Sequence, residues 1–461
     1  MEKAQIVIIG GGPGGYVASV RAAQLGASVI LVEKDKVGGT CLNRGCIPTK
    51  SLLASTRILD TIKKAEEFGI DVKEVQPEFS RIMGRKEAIV RQLRQSVLQL
   101  FKSHKIKFIK GNATIVSPHK IRVETSHETE DIETDKIIIA TGSKPIQPAL
   151  FNFNHPSVLT SDDALELTEL PKSLLIVGSG VIGLEFACIF NTLGVQITMV
   201  EMMDQILPTE DIRIAIQMQQ ILSERGIDFF VETRVEGITN YMSNGIIARL
   251  DNGEEVTAEK MLVSVGRRPV TDGIGLEDVG ITTGQVGNIL VNEKMETNVK
   301  GIYAVGDAVG GIMLAHVASA EGIIAAENAM GLNSSMDYSI VPSCVYTNPE
   351  IASVGLTADK AQAIGKKVRI GRFPFSASGK AMVIGEEDGF VRLVVDEETD
   401  QVIGAQIIGP HATELIAEAV SFIKWGLTAE QIGATIHAHP TLAESIMEAA
   451  ENVHGKAIHV S

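Results

Sequence analysis

The strongest constraint on this chain is an internal repeat. Residues 5–33 read QIVIIGGGPGGYVASVRAAQLGASVILVE, and residues 173–201 read SLLIVGSGVIGLEFACIFNTLGVQITMVE, an offset of 168. Gly10 matches Gly178, Gly12 matches Gly180, Gly15 matches Gly183, Gly26 matches Gly194 and Glu33 matches Glu201. Each copy is an apolar run, G-x-G-x-x-G, a stretch of small and apolar residues, a glycine stop, a second apolar run and an acid. The acid lies 18 residues after the third glycine. That order is a βαβ unit built for a dinucleotide. One G-x-G-x-x-G is often only a turn. Two copies at one offset, each in full context, point to an α/β fold with two Rossmann-like units.

Further strands place these units in the chain. IIIATGS at 137–143 and LVSVGRRP at 262–269 each close one copy, and GIYAVGDA at 301–308 is a third strand of the same kind. SKPIQP at 143–148 is turn-rich and reads as a crossing between domains. From 341 onward the pattern changes. GFVRLVV and QVIGAQII, joined by DEETD, predict a hairpin, and amphipathic helices follow near 412–424 and 442–453. The expected layout is a first nucleotide-binding part at 1–145, a second unit at 146–272, a return to the first at 273–340, and a C-terminal α+β domain at 341–461.

Composition excludes several other classes. With 44% hydrophobic residues, the chain buries large cores and is not disordered. The net charge is −15 and no dense Lys/Arg run occurs, so a nucleic-acid partner is not expected. Four cysteines in 461 residues do not make a disulfide-stapled scaffold. The apolar runs are too short to span a bilayer, and MEKAQ leads directly into a strand without signal-peptide character. A cytoplasmic protein with no membrane partner is expected.

The glycines let the backbone approach a pyrophosphate at the positive end of each helix, and the acid accepts hydrogen bonds from a ribose. Two copies imply two dinucleotides, and a flavin with a nicotinamide is the economical pair. At the second site Glu201 is followed by Met202 and Met203, with no Arg for a 2′-phosphate, so NAD is favoured over NADP.

Two further clusters carry chemistry. In GGTCLNRGCIPTKS, Cys41 and Cys46 are separated by four residues, which is not a zinc-knuckle spacing, and no metal site is expected. Pro48 suits a first helical turn, which puts Cys46 at a helix N-terminus where the dipole favours thiolate. A redox dithiol is the reading; two buried structural thiols are the alternative. Cys188 and Cys344 read as small buried residues. In HAHPTLAES, His439 precedes Pro440, and Glu444 follows five residues on, an arrangement suited to a general base and its orienting acid. His437 reads as structural or solvent-facing.

GGGPGGYVAS, GGTCLNRGCIPTK, GSGVIGLE, GRRP, GDA and HAHPTLAE occur in this order along essentially the whole chain. By these motifs the chain resembles the flavoprotein pyridine-nucleotide disulfide oxidoreductases. CLNRGCIPTK is the most discriminating segment, and it resembles the branch that oxidises dihydrolipoamide. The resemblance implies FAD on Gly10, Gly12, Gly15 and Glu33, with Lys50 beside the flavin, Asp307 on its ribityl or pyrophosphate part, and Ala113, Gly142 and Ala315 adding contacts. It implies NAD on Gly178, Gly180, Gly183 and Glu201, with Val235 and Gly266 nearby and Glu185 paired with Lys50.

The implied reaction starts with His439, oriented by Glu444, taking a proton from dihydrolipoamide carried on a lipoyl domain. The thiolate attacks Cys41, expected to be the more exposed sulfur, and Cys46 is left as a thiolate facing the flavin. NAD⁺ is the final acceptor. The C-terminal domain is then a dimerisation domain, and His439 and Glu444 reach the site from the other subunit of a homodimer. A 2-oxoacid, acetoin or glycine-cleavage system is the setting, and the subunit-binding domain of an acyltransferase core is a further partner suggested by the acidic charge. A related reductase of another disulfide or a metal ion is the main alternative. A flavin NADH oxidase or peroxidase, and a scaffold that has kept only the fold, fit the cysteine pair and HPTLAE less well.

Overall fold

The computed structural model describes residues 2–460. Both repeats form the predicted βαβ unit. Strand Glu2–Ile9 leads through the first glycine loop into helix Pro13–Gln24, and strand Val29–Glu33 returns parallel to the first. Strand Ser173–Val177, helix Val181–Thr192 and strand Gln196–Val200 do the same in the second copy. The strands are Val/Ile/Leu-rich on both faces because helices cover both sides of a parallel sheet.

The first sheet has seven strands. Its parallel part runs Lys107–Lys110, Val29–Glu33, Glu2–Ile9, Thr129–Ile139, and then Ile302–Ala304. An antiparallel extension, Asn112–Ser117 and Lys120–Glu124, pairs with the early part of strand Thr129–Ile139. Strand Ile302–Ala304 comes after the whole second repeat, so the second unit is an insertion into the first. The second sheet is parallel throughout, in the order Ile227–Phe230, Gln196–Val200, Ser173–Val177, Lys260–Val263, Val158–Leu159. A short antiparallel ribbon joins Ser143–Pro145 to Arg267–Pro269, so the turn-rich crossing and GRRP are hydrogen-bonded partners.

Beyond residue 341 lies a five-stranded antiparallel sheet, in the order Ser343–Val345, Glu350–Gly355, Val402–Gly409, Phe390–Asp396, Val368–Pro374. It contains the predicted hairpin. Helices Ala412–Trp425 and Glu444–Asn452 supply apolar residues such as Ile416, Ala419, Ile446 and Ala449 to the same core as Val391 and Ile407 of the sheet. Among the described residues no helix is long and apolar enough to cross a membrane.

Candidate active site

The glycine loops of the two repeats have nearly one geometry. Gly10 and Gly178 sit at φ +104° and +98°, left-handed values that favour glycine. Each donates its N–H across to the neighbouring strand, to Val32 O and Val200 O, at 2.8 Å in both cases. A Cβ on Gly15 would lie 1.9 Å from Gly10 O, and one on Gly183 would lie 2.1 Å from Gly178 O. These glycines close the helix onto the strand. The middle glycines differ. A Cβ on Gly180 would meet nothing, and one on Gly12 would meet only Gly39 Cα at 3.8 Å. Both middle glycines border open space at a helix N-terminus, which is where a pyrophosphate fits.

The strand-end acids brace these loops. Glu33 accepts from the N–H groups of Gly11, at 2.7 Å, and Asp35, at 2.8 Å. Glu201 accepts from Ser179 N at 2.8 Å, Met203 N at 2.9 Å and Ser179 Oγ at 3.1 Å. Gly111 donates to Glu33 O and Thr233 donates to Glu201 O, so Ala113 and Val235 follow segments that run along the two acids. Thr141 Oγ1, buried next to Gly10, has no partner among the described residues. An unmet hydroxyl beside an open glycine cradle suits a bound dinucleotide.

The Ser143–Pro145 ribbon brings several predicted positions together. Ser143 donates its hydroxyl to Asp307 and accepts from Arg267 Nε at 2.8 Å. Gly142 accepts from Val270 N, and Gly266 accepts from Ile146 N. Asp307 lies in the turn Gly306–Val309, just before helix Ala315–Ala329, where Ala315 is the first residue. Buried Glu321, on that helix, holds the turn by accepting from Gly306 N at 2.6 Å.

Helix Cys46–Lys63 starts on Cys46, as the Pro48 argument predicts. Cys41 and Cys46 are free thiols joined by a hydrogen bond. The hydrogen bond from Cys41, helped by the Lys50 charge, lowers Cys46 to about 7. The same bond, with burial and the Cys46 charge, drives Cys41 strongly upward. The two sulfurs are therefore pushed in opposite directions, and Cys46 is the one favoured as thiolate. Exposure does not separate them, because both cysteines are half-buried. Charge distinguishes the sulfurs.

Lys50, one helical turn from Cys46, forms a fork with Glu185 at 2.8 and 2.7 Å. Glu185 is 3% exposed, so Lys50 is not an ordinary surface lysine. Sequence reasoning missed Tyr346, whose ring lies 4.5 Å from Lys50 Nζ and whose N–H donates to Glu185 at 3.1 Å. It also missed Arg267, although GRRP had marked the neighbouring glycine. Cys344 is not isolated. It is half-buried, pushed up to about 11 by burial, and within reach of the charges of Glu350, Glu210 and Lys50. Cys188 is buried as expected.

His439 Nδ1 lies 2.8 Å from Glu444 Oε1, and Glu444 Oε2 accepts from Thr441 N at 2.7 Å. Burial pushes Glu444 up, but the Thr441 N–H and His439 outweigh it and hold the carboxyl below its usual range. The His439 side chain is 81% exposed. Cys46 is acted on by the Cys41 hydrogen bond and by the charges of Lys50 and Glu185. Among the described residues no group of three His, Cys, Asp or Glu is arranged to hold a metal ion.

Two nucleotide cradles with a polarised dithiol beside the first define a dinucleotide-dependent disulfide oxidoreductase. Residues 4–322 match the pyridine nucleotide-disulphide oxidoreductase family, and residues 341–450 match that family's dimerisation domain. The chain belongs to this family. It is an oxidoreductase that uses FAD and NAD(H). It is 47% identical to a dihydrolipoyl dehydrogenase of Bacillus subtilis, over 98% of each chain. Among solved structures it is similar to LpdA from Mycobacterium tuberculosis (30% identity, TM-score 0.91, 98% and 99% of the chains). It is also similar to the HOCl-induced flavoprotein disulfide reductase RclA from Escherichia coli (29% identity, TM-score 0.90, 98% and 99%).

Proposed function

We propose that the chain is the dihydrolipoyl dehydrogenase component of a 2-oxoacid, acetoin or glycine-cleavage complex. It oxidises dihydrolipoamide on a lipoyl domain and reduces NAD⁺ to NADH. The observation that carries this reading is a cysteine pair at the start of the helix that bears Lys50, whose ammonium is forked onto buried Glu185 of the second glycine unit, in a chain that also holds a histidine–carboxylate pair. The alternative of another disulfide or a metal ion as substrate is the weaker reading, because the dihydrolipoyl dehydrogenase likeness is at 47% identity and the RclA likeness at 29%.

In the oxidised enzyme Cys41 and Cys46 form a disulfide. His439, its ring fixed by Glu444, takes a proton from one substrate thiol at Nε2. The thiolate attacks Cys41 Sγ, the S–S bond breaks, and Cys46 leaves as a thiolate stabilised by Lys50. The second substrate thiol then displaces Cys41, so lipoamide leaves with its own disulfide and the enzyme holds the dithiol. FAD, when bound, would supply a two-electron acceptor for the dithiol and a hydride donor for NAD⁺. Gly10, Gly12, Gly15, Glu33, Ala113, Gly142, Asp307 and Ala315 hold FAD. Gly178, Gly180, Gly183, Glu201, Val235 and Gly266 hold NAD, and Glu185 anchors Lys50 between the two.

His439 and Glu444 act on the dithiol of the partner subunit, so a homodimer with shared sites is the active form. This assigns 1–145 and 273–340 to one FAD-binding domain, 146–272 to the NAD-binding domain and 341–461 to dimerisation. A net charge of −15 favours a basic subunit-binding domain of an acyltransferase core as a partner. The low cysteine content, four in 461 residues, supports a cytoplasmic location.

The test is anaerobic addition of dihydrolipoamide, then NAD⁺, to the purified flavoprotein. The flavin absorbance should change with the first addition, and NADH should appear with the second. A flavin that NADH bleaches but dihydrolipoamide leaves unchanged would overturn the assignment.

A further inference from the structure

We propose that His437 is a positioning residue for His439, acting as a clamp between the base-bearing loop and helix Ala412–Trp425. The inference rests on the reading of His439 as the proton acceptor. From Ala434 to Pro440 the chain has no helix or strand, and every residue in that run except His437 is exposed. Ile436, next to it, is 96% exposed. Only the His437 side chain turns inward, with 6% of it exposed. An open loop with one inward anchor depends on that anchor for its geometry.

The anchor is a two-ended donor. Nδ1 lies 2.8 Å from Thr435 O, and Nε2 lies 2.9 Å from Glu418 Oε1. A carbonyl and a carboxylate only accept, so the ring satisfies both with a proton on each nitrogen. It ties the loop to itself at one end, and at the other to a carboxylate on a packed helix through a charge-assisted bond. The His437 charge also adds to the forces that keep Glu444 ionised. Glu418–His437 and Glu444–His439 form two tiers two residues apart. The outer tier holds the backbone, and the inner tier holds the catalytic ring. His437 itself touches neither thiol, so its effect passes through His439.

The test compares two activities of one holoenzyme. Dihydrolipoamide oxidation needs His439, whereas NADH oxidation by ferricyanide bypasses both the thiols and the base. Displacing a catalytic group by about 1 Å costs on the order of 10²-fold. His437→Ala should therefore lower kcat/KM for dihydrolipoamide by about 10- to 10²-fold and leave ferricyanide turnover unchanged. Glu418→Gln keeps an acceptor and should lose less than Glu418→Ala. Equal loss of both activities would make His437 a general fold determinant and overturn the proposal, as would no loss in either. His439→Gln serves as the control. If it leaves dihydrolipoamide turnover intact, the reading of His439 as base fails. If it abolishes turnover while His437→Ala does not, only the clamp fails.

Discussion

The two glycine-rich units share a backbone and differ in what packs against their helices. Both helices begin after a glycine with φ near −70° and ψ −175°, and both loops are braced by the acid at the next strand's end. Helix Pro13–Gln24 packs on helix Ala315–Ala329, so closely that a Cβ on Gly322 would lie 2.4 Å from Gly14 O. Arg21 and Glu327 pair across that contact at 2.5 Å. Helix Val181–Thr192 is mostly buried, and its Leu184 and Phe186 share a core with Leu52 of the dithiol helix. The duplicated motif sets the cradle. The helix surface outside the motif decides which copy reaches Lys50, and Glu185 of the second copy is the residue that does so.

The largest test of this likeness is a matched pair of substitutions. The backbone at Gly12 and Gly180 is extended and suits any residue, so Val at either position fills the cradle without straining the chain. Gly12→Val should give protein without FAD and without either activity, checked by flavin absorbance after gel filtration. Gly180→Val should keep FAD and raise KM for NAD⁺ on the order of tenfold or more, a loss of at least about 1.4 kcal/mol. If Gly12→Val keeps its FAD, the first cradle has been misassigned.

The next test removes the contact that only the second helix makes. Lys50→Met leaves Glu185, with 4% of its side chain exposed, facing the site without its cation. Breaking a buried pair from one side costs about 3–5 kcal/mol, and the Tyr346 N–H that remains favours the lower end. Denaturant unfolding would measure this. The same variant should raise Cys46 from its value of about 7 toward the ordinary 9.0. Because the folded value is the lower one, the thiolate stabilises the reduced fold fully above the ordinary value, and that contribution is lost as pH falls through about 7. Iodoacetamide alkylation of the reduced protein should therefore switch on through about 7 in the parent and at higher pH in Lys50→Met. An unchanged profile would mean that the Cys41 hydrogen bond alone holds the thiolate.

Legibility in the sequence followed the range of the interaction. The glycine loops were readable because sterics among neighbours dictate them. His439 and Glu444 were readable because five residues and a helix start bring them together. Lys50 and Glu185 are 135 residues apart, and only the resemblance joined them. Tyr346 gave no local sign, since it directly follows the unremarked strand Ser343–Val345. Arg267 stood in GRRP, but its partners Ser143 and Asp307 come from distant segments that only the folded ribbon aligns. His437 was one of two histidines in HAHP, and no local pattern reveals which ring turns inward.

The smallest effect concerns the residue between the first two glycines, Gly11 in one loop and Ser179 in the other. Glu33 is held at its loop by a single backbone N–H, that of Gly11. Glu201 receives the equivalent N–H and also the hydroxyl of fully buried Ser179, at 3.1 Å. Ser179→Ala keeps the backbone bond and removes one side-chain bond worth about 0.5–1.5 kcal/mol, so KM for NAD⁺ should rise about 2- to 10-fold. FAD content should not change. The reciprocal change, Gly11→Ser, places a Cβ 3.4 Å from Glu33, an ordinary contact, and should leave FAD bound. Isothermal titration with NADH and flavin absorbance read the two arms. A loss well beyond tenfold in Ser179→Ala would mean that the hydroxyl, rather than the shared backbone bond, sets the second acid, and the two loops would then be alike in shape but not in what holds them.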